Sequence, residues 1–199
     1  MTWAYIVGGV ALTGVGIGAY LRSQVEEAPY TVLASMGAYE IRDYPNLTLV
    51  ESSCSKEESD NFGRLFKYIQ GANDEEQKIP MTAPVFMQYS DSGIETMSFV
   101  MPEDMDFEDT PMPKNSRVSV KQSEGGQYAV YRYKGRNNSK REAKALDALQ
   151  EWVQLQEFPC DDQATFAGYD SPMVPGFMRR NEVLLKLTTD LDCEDDFCQ

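Results

Sequence analysis

Apolar residues recur at intervals of three and four in one part of this chain, which is the spacing of a helix face. The apolar positions are Phe62, Leu65, Phe66 and Ile69. A side-chain oxygen of Ser59 or Asp60 is suited to accept an N–H of the first turn. Gly71 stands where helices often end in a left-handed residue. The pattern therefore predicts a helix over residues 59–70.

A second helix is predicted over residues 139–156. Its apolar face is formed by Leu146, Leu149 and Val153. Ser139 and Glu142 have the spacing of a capping box. In this motif the serine accepts from the Glu142 amide, and the glutamate reaches back to the first N–H.

Other apolar segments are short or alternate with polar residues, as strands do. The predicted strands cover 30–34, 38–44, 46–53, 83–89, 96–101, 117–122, 127–133, 165–169 and 182–187. Each half of the chain thus contains strands, one helix and further strands. We predict an α+β fold of two strand–helix–strand repeats, with two helices packed on a curved antiparallel sheet.

Charge and composition exclude several functions. The chain has 199 residues, 32 acids, 18 bases and no histidine, with a net charge of −14. Because binding to nucleic acid depends on clustered cations, we expect no nucleic-acid partner. Without histidine there is no Ser-His or Cys-His dyad, and no metal-protease or phosphate-loop motif is present. We therefore expect a protein that is not an enzyme and holds no metal through histidine.

The first 21 residues carry no charged side chain, and Arg22 ends this apolar segment. Such a length roughly spans a bilayer core of about 30 Å. A cleaved signal peptide is the alternative, but it would begin with a basic region that is absent here. We predict an N-terminal transmembrane anchor at 1–22, a linker at 23–29 and an acidic tail at 189–199. The side of the membrane is undecided, and we favour a periplasmic or extracytoplasmic domain.

Cysteine usage leaves the redox state open. The four cysteines are Cys54, Cys160, Cys193 and Cys198. Their spacing does not suggest a zinc site. A Cys193–Cys198 disulfide and four free thiols are both compatible with the sequence, depending on the compartment.

Five segments resemble, in the same order, the pattern of the SOUL/haem-binding protein family. They are YEIRDYP at 39–45, KYIQGAN at 67–73, KIPMTAPV at 78–85, MSFVMP at 97–102 and GYDSPMVPGFMRRNEV at 168–183. The resemblance covers residues 30–188. It implies one SOUL-like haem-binding domain, built as a distorted antiparallel β-barrel flanked by two helices.

The resemblance also implies the ligand, which is haem or another tetrapyrrole held on an apolar surface near the first helix. Basic residues there would meet the propionates. The candidate binding residues are Arg64, Lys67, Tyr68 and Met81, and the two cations are assigned to the polar side of the helix. Some family members were assigned an axial histidine, which this chain cannot supply. We expect a tetrapyrrole-binding or carrier protein that relies on apolar contact and propionate pairing.

Two alternatives stay open: a binding module for another hydrophobic small molecule, and a non-catalytic interaction adaptor. Two polar features are interpreted as structural. In the segment RRNE at 179–182, an arginine or asparagine is expected to hold loop carbonyls near Pro172 and Pro175, rather than form an anion clamp. The Thr82 hydroxyl is expected to satisfy backbone groups near Pro84.

Overall fold

Eleven strands and two α-helices are present in the computed structural model, which describes residues 25–53, 60–90, 93–189 and 191. The strands are β1 (Glu26–Glu27), β2 (Thr31–Met36), β3 (Tyr39–Tyr44), β4 (Leu47–Ser53), β5 (Thr82–Ala83), β6 (Val85–Ser90), β7 (Gly93–Val100), β8 (Val118–Ser123), β9 (Gly126–Lys134), β10 (Cys160–Gly168) and β11 (Arg180–Leu187). The helices are α1 (Asn61–Ile69) and α2 (Ser139–Leu155), and a short 3₁₀ helix covers Gly176–Met178.

Nine strands form one antiparallel sheet in the order β2-β3-β9-β11-β10-β6-β7-β4-β8. The predicted α+β fold, with a large antiparallel sheet and two helices, is confirmed. The β10–β6 pair joins a strand of the second half of the chain to a strand of the first half. Two pairings connect the halves of the chain at the outer strands. β3 of the first half pairs with β9 of the second half, and β8 of the second half pairs with β4 of the first half.

The expected β-barrel is not closed. Strands β2 and β8 lie at opposite edges of the sheet, and no pairing among the described residues joins them. Closure would require the edge strands to meet with a matching tilt and stagger. Here β2 and β8 extend the sheet at opposite edges, so the sheet stays open, and both helices cover one of its faces.

Both helices pack on the same face of this sheet. On β11, Val183 and Leu185 belong to the cluster under α2, whereas Leu184 between them belongs to a cluster on the opposite face. On β6, Val85 contacts the α1 cluster and Met87 contacts the α2 cluster. Because side chains alternate along a strand, these positions assign one face to the helices and leave the other free of them.

The helix ends follow the predictions in part. Asp60 is the N-cap of α1, where its carboxylate accepts the Gly63 N–H at 3.0 Å. Gly71 follows the helix with φ of +106°, a conformation that favours glycine. Both features of α1 were predicted.

The predicted capping box of α2 is wrong. Asn138, not Ser139, is the N-cap, and its side chain accepts the Arg141 N–H at 3.0 Å. Glu142 points into the protein, where its carboxylate accepts the Tyr89 hydroxyl at 3.0 Å. Because the Glu142 side chain is turned toward β6 to accept this hydrogen bond, it does not reach back to the N–H groups at the start of the helix.

A buried ionic cluster crosses three adjacent strands. Arg42 is fully buried, and it donates to Glu182 at 2.7 and 3.0 Å and to Glu40 at 2.7 Å. Tyr169 adds a hydrogen bond to Glu182 at 2.8 Å. Burial by itself would lower the pKa of Arg42, but the hydrogen bonds and charge of Glu182 raise it, so the guanidinium stays charged. The pair fixes β3 relative to β11 across β9.

Within the described ranges, no helix is long and apolar enough to cross a bilayer. The predicted anchor at 1–22 lies outside these ranges, as do Cys54, Cys193, Cys198 and most of the predicted acidic tail, so those assignments stay predictions.

Replacing Arg42 by methionine leaves Glu182 buried without its main partner. We expect the free energy of unfolding, measured in urea, to fall by about 3–5 kcal/mol. Arg132→Met is the matched control, since Arg132 pairs with the same Glu40 but its side chain is 42% exposed. That control should lose less than about 1 kcal/mol. Equal losses in the two variants would contradict a dominant buried pair.

Burial raises the pKa of Glu142 in the folded protein, against the lowering effect of the Tyr89 hydrogen bond. The associated stability is complete below the usual carboxyl pKa of 4.5 and is lost as pH rises through the higher folded value. Glu142→Gln has no charge to bury, so its stability relative to wild type should increase between about pH 4 and 7. Urea unfolding at several pH values measures this, with exposed Glu151→Gln as control. A pH-independent difference would refute it.

Candidate functional site: a basic groove beside helix α1

Helix α1 is rotated relative to the sequence-based expectation. Leu65, Tyr68 and Ile69 are buried, whereas Phe62 and Phe66 are 46% and 45% exposed. The two phenylalanine rings stack with centroids 6.0 Å apart. The predicted apolar face is therefore confirmed for Leu65 and Ile69, whereas both phenylalanines lie at its half-exposed edge, where the Phe62 ring contacts the buried Phe99 ring at 5.4 Å between centroids. The structure leaves an aromatic pair on its outer flank.

Arg64 lies on the sheet side of α1, contrary to its assignment to the polar side. It is 8% exposed, and it donates to Ser52 Oγ at 2.9 Å and to Asn61 Oδ1 at 2.5 Å. The Ser53 carbonyl accepts a longer bond of 3.4 Å. Polar groups from β4 and from the first turn of the helix thus make this burial possible, because a buried charge requires hydrogen-bonding partners.

Tyr68 is also buried, and its hydroxyl donates to the Pro111 carbonyl at 2.7 Å. Burial raises the pKa of Tyr68 to about 12, with smaller contributions from Asp74 and Glu75. The phenol is therefore neutral at physiological pH. Its hydrogen bond connects α1 to the long segment between β7 and β8.

A groove of about 430 Å³ opens between the end of α1 and this segment. Three of the four predicted binding residues line it, namely Arg64, Lys67 and Tyr68. Lys114 lines the opposite wall and forms an exposed ion pair with Glu76 at 3.2 Å. No ion pair among the described residues includes Lys67. The groove therefore concentrates three cations in a strongly acidic chain.

Met81, the fourth predicted residue, does not line this groove. It is partly buried and packs against the α1 cluster. The neighbouring Thr82 hydroxyl donates to the Val100 carbonyl. Because Val85 pairs with Phe99, Pro84 lies opposite Val100 and has no N–H to offer it. The predicted structural role of Thr82 is confirmed.

Asn73 supports the loop that forms one edge of the groove. This residue is fully buried, and its amide donates to the carbonyls of Tyr68 and Gln77 at 3.2 and 2.8 Å. Its own oxygen accepts the Gln77 N–H at 2.9 Å. A backbone bridge between Asn73 and Pro113 brings Lys114 beside α1. Sequence reasoning missed Lys114, because its position depends on this long-range bridge and no local pattern marks it.

The RRNE segment is structural, as predicted. Arg179 donates to the carbonyls of Val174 and Pro172 at 2.9 and 2.7 Å. Asn181 donates to the Gly135 carbonyl at 2.8 Å. These bonds hold the loop before β11, and Arg180 forms an ion pair with Glu27 at 2.6 Å.

The structure is an α+β domain with a groove lined by three cations beside α1. Comparison with known proteins identifies its family. A family model described as SOUL heme-binding protein matches residues 25–186. The chain belongs to that family.

Two relatives are named Heme-binding protein 2. The one from Homo sapiens is 31% identical over 172 residues, covering 80% of this chain and 82% of the relative. The one from Mus musculus is 28% identical over 172 residues, and it also covers 80% of this chain and 82% of the relative.

Solved structures show the same fold at low sequence identity. The C-terminal domain of EcmrR has a TM-score of 0.57 and 12% identity, covering 81% of this chain and 99% of that domain. A protein from Listeria innocua described as a hydrolase has a TM-score of 0.56 and 11% identity, covering 78% and 94%. Because this fold carries different functions, these two likenesses do not identify a ligand.

Proposed function

We propose that this chain binds a tetrapyrrole on the outer face of α1, with the propionates directed to the basic groove. The observation that carries the proposal is the grouping of Arg64, Lys67 and Lys114 around one groove in a chain of net charge −14. Clustered cations attract carboxylates and form charge-assisted hydrogen bonds with them. The names of the two relatives support the same ligand class.

The exposed aromatic pair supplies an apolar contact for the macrocycle. In a helix of 3.6 residues per turn, positions 62 and 66 lie on one flank and position 67 on the other, with Gly63 between them. The Asp60 carboxylate fills the space beside Gly63, because it caps the helix there. A flat ligand lying on the flank formed by Phe62 and Phe66 would contact these rings and bring its carboxylates toward Lys67.

Lys67 and Lys114 are the proposed propionate partners, because both have solvent-exposed side chains. Arg64 contributes positive charge from beneath the groove, and its bonds to Ser52 and Asn61 keep it in place. Tyr68 forms part of the groove wall. Met81 is proposed only as packing support for α1 from the neighbouring cluster.

Axial coordination contributes little to this mode of binding. There is no histidine in the chain. Tyr68 is the phenol of the groove, and it is neutral and engaged with the Pro111 carbonyl. In this mode neither a histidine nor Tyr68 would ligate the iron of a bound haem. The protein would hold the haem by apolar contact and by its cations.

We also propose that the protein binds without catalysing a reaction. Burial and the charge of Asp161 raise the pKa of the Cys160 thiol to about 11, so this group is protonated at neutral pH and a poor nucleophile. A neutral, partly buried thiol and a groove lined by three cations and one neutral tyrosine fit a carrier better than an enzyme.

Removing both exposed cations tests the groove. We expect Lys67→Ala combined with Lys114→Ala to weaken binding of metal-free protoporphyrin IX about tenfold, measured by tryptophan quenching, because two exposed charge pairs are lost. The matched control is Lys140→Ala with Lys144→Ala on α2, which removes the same charge elsewhere. The dimethyl ester of the porphyrin should not distinguish the two double variants. If both double variants bound the free acid with equal affinity, the groove would be excluded as the propionate-binding site.

Iron should add little to the affinity. Haem and metal-free protoporphyrin IX are expected to bind with dissociation constants within about threefold of each other, because apolar contact and propionate pairing are common to both. Spectroscopic titration of both ligands measures this ratio. A preference for haem of more than about tenfold would reveal an axial ligand and contradict this mode.

A further inference from the structure

A second cleft lies on the sheet face that carries no helix. It crosses both halves of the sheet and encloses about 120 Å³. Its wall includes Leu49 and Glu51 of β4, Phe86 of β6, Ser98 of β7 and Leu184 of β11. Strand alternation places these positions on the face opposite α1 and α2. The cleft is thus separate from the groove, which opens beside α1.

The cleft has an apolar end and a polar end. Tyr44, Phe86, Tyr128 and Leu184 contribute aromatic and aliphatic surface. At the polar end, Gln88 bonds to the hydroxyls of Thr165 and Thr96, both at 3.3 Å. A pocket of mainly apolar walls with a few polar groups at one end is typical of small-molecule sites.

The charged groups that line the cleft are Glu51 and Glu124, with no lysine or arginine among the described lining residues. The Glu51 side chain is only 15% exposed, and Ser98 donates to it at 3.5 Å. Its other oxygen pairs with Lys121, whose side chain is 56% exposed and reaches in from outside the lining. The charge in this cleft is therefore opposite to that of the α1 groove.

We propose that this cleft is a second binding site, for a small aromatic cation whose ring lies between Tyr44 and Phe86 and whose charged group pairs with Glu51. The volume limits the ligand to about one six-membered ring with a short head group. Lys121 occupies the position that the ligand cation would take beside Glu51, so the lysine competes with the ligand. A porphyrin with two propionates is excluded by size and by charge.

Benzamidine is a suitable probe, because it joins one aromatic ring to a planar cation that can bind a carboxylate through two hydrogen bonds. For nine heavy atoms we expect a dissociation constant on the order of 1 mM. Methyl NMR of the full chain should show saturable shifts at Leu49 and Leu184. Benzamide, the neutral analogue of the same shape, should bind at least about fivefold more weakly.

Two substitutions should change this affinity in opposite directions. Glu51→Gln should weaken benzamidine at least about fivefold, whereas Lys121→Met should tighten it about threefold by releasing Glu51. Glu151→Gln, an exposed acid on α2, is the matched control and should have no effect. Because Lys121 is a surface side chain, its replacement also tests the site if Glu51→Gln perturbs folding.

No saturable shift with benzamidine up to about 10 mM would overturn the proposal. Equal binding of benzamide, or an unchanged affinity in Lys121→Met, would overturn it as well. The tetrapyrrole proposal is tested by different variants and a different ligand, so either one can fail without the other.

Discussion

The Arg42–Glu182 pair is the interaction on which the sheet depends. It joins residues 140 positions apart and connects β3 to β11 across β9. Both side chains are almost completely buried, so each requires the other as a partner for its charge. Glu40, Tyr44 and Tyr169 supply further hydrogen bonds. The cluster gives a physical reason for two segments of the family pattern: YEIRDYP contributes Glu40 and Arg42, and RRNEV contributes Glu182.

This fixed sheet positions α1 and the groove. The helix rests on β4 and β7 through Leu65 and Ile69, whose neighbours include Val50 and Phe99. Tyr68 and Asn73 then attach the long segment before β8, through the Pro111 carbonyl and the bridge to Pro113. The KYIQGAN segment therefore contributes to the wall of the groove, through Lys67, Tyr68 and Ala72. Of these three residues, Lys67 is the one with a charged side chain, and that side chain is exposed.

Element types were readable from the sequence because local periodicity and caps decide them. Asp60 and Gly71 end α1 as expected, and both helices were located within two residues. The rotation of α1 was not readable, because it depends on where β4 offers polar partners. Ser52 accommodates the buried charge of Arg64, while Phe62 and Phe66 remain about half exposed.

The pairing of the strands was predicted less well, because it too depends on contacts between distant segments of the chain. The open sheet results from crossed pairings of β3 and β8, which no local pattern specifies. The start of β10 at Cys160 was missed, since polar residues and an irregularity before Ala164 hide its alternation. At the site, Arg64, Lys67 and Tyr68 were brought together as expected, but Lys114 depends on a contact between distant segments.

The location of the bound porphyrin tests the central claim most directly. A porphyrin ring current shifts nearby proton resonances, so an NMR titration with metal-free protoporphyrin IX reports which residues it covers. If the porphyrin lies on α1, the largest shifts are expected at Phe62, Gly63, Phe66 and Lys67, with little change at Leu184 on the opposite face of the sheet. Shifts concentrated at Leu184 and its neighbours, or none at α1 under saturating porphyrin, would contradict that claim.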